Sequence, residues 1–137
     1  MADAKAKILI VEDDPLMARL YSKVFQIEGY DVRAAGDGEE GLTLVHKDIP
    51  TIILLDVMMP KMNGLELLEK LKADPATKKI PVIMLTNLAG QADAEKAISM
   101  GAVKYIVKSE YEPKQIVGMV KEILEGYTRD SVPTASA

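Results

Sequence analysis

Short runs of Ile, Val and Leu alternate five times with segments whose apolar residues recur at helical spacing. Uninterrupted apolar runs suit strands buried on both faces, so the alternation predicts an α/β domain: a parallel sheet with helices on both sides. The predicted strands are residues 7–11, 31–35, 51–55, 82–85 and 104–107. Between the first two, Asp14 can accept hydrogen bonds from orphan amides as an N-cap, and Pro15 suits the first helical position because its missing donor is not needed there. Leu16, Leu20 and Val24 then line one helix face, Met17, Tyr21 and Phe25 an adjacent one, and Gly29 ends the helix. A second helix is expected after Asp37 with Leu42 and Val45, and a third near Gly64 with Leu65, Leu68 and Leu71, closed by Asp74 and Pro75. A weaker fourth segment covers about residues 92–100 before Gly101. The fifth starts at Pro113, places Ile116, Val120, Ile123 and Leu124 on one face and is expected to end at Gly126. Residues 1–127 are thus read as one domain, and residues 128–137, with little to bury, as a flexible tail.

Composition narrows the class of protein. The 137 residues suffice for one domain with its own core, with no room for a separate output domain. A net charge of −4 argues against a general nucleic-acid footprint. Cysteine is absent, which removes disulfide and thiolate chemistry. The apolar runs are far too short to span a bilayer, and residues 8–11 are too short for a signal-peptide core, so no membrane partner and a cytoplasmic location are expected. There is no solenoid-type repeat and no low-complexity block.

Four of the apolar runs end on residues suited to phosphate chemistry. Residues 8–11 lead into Glu12, Asp13 and Asp14, 52–55 into Asp56, 82–85 into Thr86 and 105–107 into Lys108. In one parallel sheet the carboxyl ends of these runs share the edge at which open α/β sheets bind ligands. A carboxylate can form an acyl phosphate when the phosphoryl group is held in place and its charge is quenched. Mg²⁺ on oxygen ligands does this, taking one or two carboxylates besides waters and phosphoryl oxygens. Asp13 and Asp56 are the candidate direct or water-mediated ligands, with Glu12 assisting. Lys108 would supply a fixed cation and the Thr86 hydroxyl a hydrogen bond.

These residues resemble the receiver domain of two-component response regulators, of which the single-domain chemotaxis regulator is the simplest member. The resemblance covers about residues 7–126. It rests on Glu12-Asp13, on Leu54-Leu55-Asp56 followed by Met58-Met59-Pro60 and Asn63-Gly64, on residues 81–86 and on residues 105–108. It implies that Asp56 is the phosphoacceptor, that Glu12 and Asp13 bind Mg²⁺ with the backbone carbonyl of Met58, and that Thr86 is the switch hydroxyl. It further implies that Lys108 contacts the phosphoryl group and that Tyr105 is the switch aromatic. The implied fold is the flavodoxin-like doubly wound sheet of order 2-1-3-4-5, for which the chemotaxis regulator is a standard example. The implied donor is a sensor histidine kinase or histidine phosphotransfer protein. The implied output is a downstream protein partner bound by the face of the fourth helix, fifth strand and fifth helix, with Ala97, Ile98, Tyr105, Glu112, Gln115 and Met119 as candidates. Such a receiver is a signalling element rather than an enzyme on other substrates, and promotes its own phosphorylation and dephosphorylation.

Two departures bear on the chemistry. In most of the family a proline follows the lysine through a cis bond, whereas here Ser109 follows Lys108, and a cis bond before a non-proline residue costs about 3 kcal/mol. Two residues beyond Asp56 and Thr86 stand apolar Met58 and Leu88, where fast-hydrolysing members carry polar groups that orient water; a long-lived acyl phosphate is expected.

Other residues have plainer readings. Asp14 is assigned to capping, His46 to a surface or helix-dipole role, the methionines to core filling, and Asp37-Gly38-Glu39-Glu40 to a helix start. Lys70, Lys72, Lys78 and Lys79 are read as a solvated face. Two further functions compete with the receiver reading: a phosphorylation-independent interaction module on the same fold, and the excised receiver of a longer regulator. A nucleotide-binding enzyme or phosphatase is disfavoured, since no Walker-type loop exists and Asp56-Val57-Met58 lacks a second aspartate.

Overall fold

A computed structural model describes residues 6–129. Its elements run β1 (Lys7–Val11), α1 (Pro15–Ile27), β2 (Asp31–Ala35), α2 (Gly38–Lys47), β3 (Ile52–Leu55), α3 (Gly64–Ala73), β4 (Val82–Thr86), α4 (Gln91–Ser99), β5 (Lys104–Val107), a single 3₁₀ turn (Lys108–Glu110) and α5 (Pro113–Arg129). The five strands form one parallel sheet of order β2-β1-β3-β4-β5, as predicted. Strand alternation divides the core in two. Leu9, Val11, Ile53, Leu55, Val82 and Met84 face Val45 of α2, Leu67, Leu68 and Leu71 of α3 and Ala97 of α4. Ile8, Ile10, Ile52, Leu54, Ile83 and Leu85 face Tyr21 and Phe25 of α1 and Ile116, Val117 and Val120 of α5. A doubly covered sheet explains why its central strands read as unbroken apolar runs.

Local chemistry sets the helix ends. Asp14 Oδ1 accepts from the Leu16 N–H at 3.0 Å ahead of Pro15, and Asp37 Oδ1 from the Glu40 N–H at 2.8 Å. Asn63 and Glu66 form a reciprocal capping box on α3, with both bonds at 2.9 Å. Gly29 follows α1 at φ +98°, and the Gly29 and Tyr30 amides close a Schellman turn on Gln26 and Phe25. The rings of Phe25 and Tyr30 meet edge to face at 6.0 Å, supplying the apolar contact that accompanies such a turn. Gly101, at φ +112°, ends α4 in the same way.

Three expectations about elements change. Gly126 does not end α5, which continues to Arg129. No positive φ is found at Gly126 and no turn requires its flexibility, so it is carried as an interior helical glycine at a cost of about 1 kcal/mol relative to Ala. The expected tail therefore begins inside α5, and its remainder, residues 130–137, lies outside the described residues. On α1 the face of Tyr21 and Phe25 is the buried one, whereas Leu16 is 72% exposed and Leu20 43%. Finally, Lys72 is not on a solvated face. Its ammonium donates to the carbonyls of Lys78 and Ile80 at 2.9 Å each, and burial lowers its pKa.

Candidate functional site at the carboxyl edge of the sheet

Strand register brings the chemistry together. Val11 pairs with Leu55, so Glu12 and Asp56 emerge side by side; Thr86 pairs with Val107, so Lys108 emerges one step beyond Thr86. Glu12, Asp56, Thr86 and Lys108 are all buried, although each carries a polar or charged side chain. Asp13 is exposed at the rim.

The buried charges hold one another. Lys108 Nζ donates to Glu12 Oε1 and, at 3.2 Å, to Asp56 Oδ2. Glu12 Oε2 accepts from the Asp14 N–H at 3.0 Å, and Asp56 Oδ1 from the Met58 N–H at 3.2 Å. Burial pushes the Glu12 carboxyl up, and the bonds from Lys108 and Asp14 only partly offset it. Burial acts to lower Lys108, but its bond to Glu12 and the charge of Asp56 outweigh burial and hold its pKa above the ordinary lysine value. The ammonium is therefore a fixed cation between two carboxylates. Carboxylate oxygens of Glu12, Asp13 and Asp56 lie within 4.8 Å of one another, a spacing and donor set that fit a hard divalent cation. Outside them opens a cleft of about 390 Å³ lined by Asp13, Val57, Met58, Met59, Pro60 and Asn63.

Gly64 fixes the floor under Asp56. A Cβ at Gly64 would lie 2.1 Å from the Asp56 carbonyl oxygen, and the Gly64 N–H donates to Val57 at 2.8 Å. The start of α3 thus packs directly against the backbone that presents Asp56.

The family follows from comparison with known sequences. The sequence model of the response regulator receiver domain matches residues 8–121. The chain belongs to this receiver family. It is 36% identical over 121 residues to the DNA-binding response regulator MtrA of Mycolicibacterium smegmatis, which spans 88% of this chain and 51% of MtrA. It is 42% identical over 103 residues to the response regulator PleD of Caulobacter vibrioides, 75% of this chain and 23% of PleD. The crystal structure of a CheY-like receiver domain protein from Methanospirillum hungatei superposes with a TM-score of 0.84 at 30% identity, covering 93% of this chain and 99% of that one. The receiver spans about half the length of the first curated relatives it matches.

On this receiver the β4–α4 loop is tied to β5. Thr86 Oγ1 accepts from the Leu88 N–H at 3.2 Å, and the Leu88 carbonyl accepts from the Tyr105 hydroxyl at 2.5 Å. Of the residues expected on the α4–β5–α5 face, Ile98, Glu112 and Gln115 are exposed and Tyr105 and Met119 half-buried. Ala97 is fully buried and drops out, because its position in α4 points at the sheet. Met58 is 61% exposed at the mouth of the site rather than part of the core. No cis peptide is found among the described residues, so the Lys108–Ser109 bond is trans, in keeping with the cost of a cis bond before Ser. Sequence reasoning missed Asn87, whose Oδ1 accepts from the Ser109 N–H at 3.1 Å. The sequence shows only that Ser109, unlike a proline, has an N–H to donate; that Asn87 meets it follows from the fold, which brings the two loops together.

Proposed function

We propose that this receiver accepts a phosphoryl group on Asp56 from the phosphohistidine of a sensor histidine kinase or phosphotransfer protein, and signals by altering the face it offers a downstream protein. The observation that carries this reading is the buried meeting of Lys108 with Asp56 and Glu12, beside Thr86. A structural role alone gives little return for burying that many charges together.

In the transfer, an Asp56 carboxylate oxygen attacks phosphorus and a P–O bond forms. The P–N bond to the donor imidazole breaks, and the bonding pair leaves with the nitrogen, which regains a proton. Lys108 is placed to follow the charge from Asp56 onto the phosphoryl oxygens. Thr86 Oγ1 already accepts from Leu88, which leaves its own proton for one of those oxygens. Glu12, Asp13, Asp56 and the Met58 carbonyl are the proposed Mg²⁺ ligands, and the bound ion would neutralise phosphoryl charge. When Thr86 turns to the phosphoryl group its bond to Leu88 is strained, and with it the Tyr105 contact, which biases the α4–β5–α5 face toward a second state. A cytoplasmic setting accords with such a donor, and no helix among the described residues is long and apolar enough to cross a membrane.

Intact mass after incubation with acetyl phosphate and Mg²⁺ tests the assignment. One phosphoryl group is expected on the wild type, and none without Mg²⁺ or on Asp56→Asn. Unmodified wild-type protein that is demonstrably folded would refute it.

A further inference from the structure

The 3₁₀ turn that carries Lys108 has no side-chain cap of its own. The first amides of any helical turn lack internal partners, and Ser109 supplies one of them. Its N–H is met from a different part of the chain, 22 residues away, by Asn87 Oδ1 at 3.1 Å. The sheet ladder between β4 and β5 stops at the pair Thr86 and Val107. The Asn87–Ser109 bond therefore adds one more tie beyond the last rung, between the residue after Thr86 and the residue after Lys108.

We propose that Asn87 is a positioning residue: by capping the Ser109 amide it holds the backbone of Lys108 so that the ammonium reaches both Glu12 and Asp56. Three anchors then fix Lys108. Val107 is held in the sheet, the Lys108 carbonyl accepts from the Tyr111 N–H at 3.3 Å, and Ser109 is held by Asn87. Of the three, only the Asn87 bond links Lys108 to the segment carrying Thr86 by a side chain, so it also keeps the two phosphoryl-contacting groups in register. The inference rests on the phosphoacceptor reading for its kinetic consequence and on the unphosphorylated protein for its structural one.

The test uses Asn87→Ala, Asn87→Asp and Ser109→Pro in the full chain. In unphosphorylated protein, Asn87→Ala is expected to speed hydrogen exchange at the Ser109 amide and to move the Lys108 ε-methylene NMR signals toward those of a free lysine. Asn87→Asp keeps an acceptor oxygen and is expected to retain the protection. With acetyl phosphate and Mg²⁺, Asn87→Ala should lower the limiting phosphorylation rate by about fivefold, the worth of one hydrogen bond, with the Mg²⁺ dependence unchanged. Combining it with Ser109→Pro, which removes the donor, should add little to the larger single effect. Unchanged Ser109 exchange and Lys108 signals in Asn87→Ala would overturn the proposal whether or not the protein takes up phosphate. A wild type that shows these NMR changes on mutation but never phosphorylates would instead overturn the function proposed for Asp56.

Discussion

His46 shows how much a single side chain can hold that its sequence neighbourhood conceals. It is the one histidine in the chain, near the end of α2, and reads as a surface residue. In the fold its Nδ1 faces the Leu42 carbonyl at 3.0 Å and its Nε2 faces Asp74 Oδ2 at 2.9 Å. Both partners accept, so both ring nitrogens must donate, and only the imidazolium does that. The bond to Asp74 raises the His46 pKa above its ordinary 6.5, with the Leu42 carbonyl adding to it, while Asp74 is held below 3.8 chiefly by His46. A raised histidine contributes stability in full below 6.5 that is lost as pH rises through its folded value; a lowered aspartate contributes stability that is lost as pH falls through its own. The bridge from α2 to the end of α3 therefore acts between these limits. The melting temperature of His46→Ala should fall short of wild type at pH 6 and converge with it by pH 9; parallel curves across that range would refute the bridge. The short-range half of this was legible, because Asp74 stands where a helix should close. The long-range half was not, since nothing local says that α2 and α3 end side by side.

At the scale of elements, strands and caps were readable because their signals are local. Apolar runs, Asp14-Pro15 and Gly29 each act within a few residues of themselves. Gly126 misled because the same residue type ends a helix only where a positive φ is required, and neighbours in sequence do not decide that. The acidic and basic site residues were legible from their position at strand ends, whereas the Asn87–Ser109 tie depends on two loops meeting. The β3–α3 loop raises a kinetic question of its own. Met58 stands open to solvent beside Asp56, with a thioether that accepts hydrogen bonds only weakly. Leu88, on the other side, offers an apolar side chain and has its carbonyl engaged by Tyr105. A water attacking an acyl phosphate on Asp56 would find no side chain at either position to orient it. Replacing Met58 by Asn should hasten decay by about fivefold, again the worth of one hydrogen bond. Equal lifetimes for Met58→Asn and wild type, measured by loss of the phosphorylated mass, would show that water is oriented from elsewhere.

The molecule as a whole carries a net charge of −4 and gathers part of that excess at the carboxyl edge of the sheet, where Glu12 and Asp56 are buried. Glu12, Asp13 and Asp56 gather their carboxylates within 4.8 Å, and Lys108 is the ammonium that meets Glu12 and Asp56. The raised pKa of Glu12 records the cost of that arrangement, since burial favours its neutral form. The sheet cannot relax the crowding, because Glu12 and Asp56 leave adjacent strands whose register is fixed from Ile8 to Val11. In the unfolded chain Glu12 and Asp56 lie more than forty residues apart, so a cation held by all three acids binds only the folded state. Mg²⁺ at a hundredfold excess over its dissociation constant should then stabilise the fold by about 2.7 kcal/mol, roughly 10 °C in melting temperature for a domain of this size. Asp13→Asn should weaken the effect, although Asp13 is exposed and its loss leaves the core untouched. Sodium chloride of equal ionic strength should not reproduce it, because screening acts poorly on buried charges. A melting temperature indifferent to Mg²⁺ would mean that Lys108 alone balances the carboxylates, and that the crowding at the sheet edge has some purpose other than holding a metal.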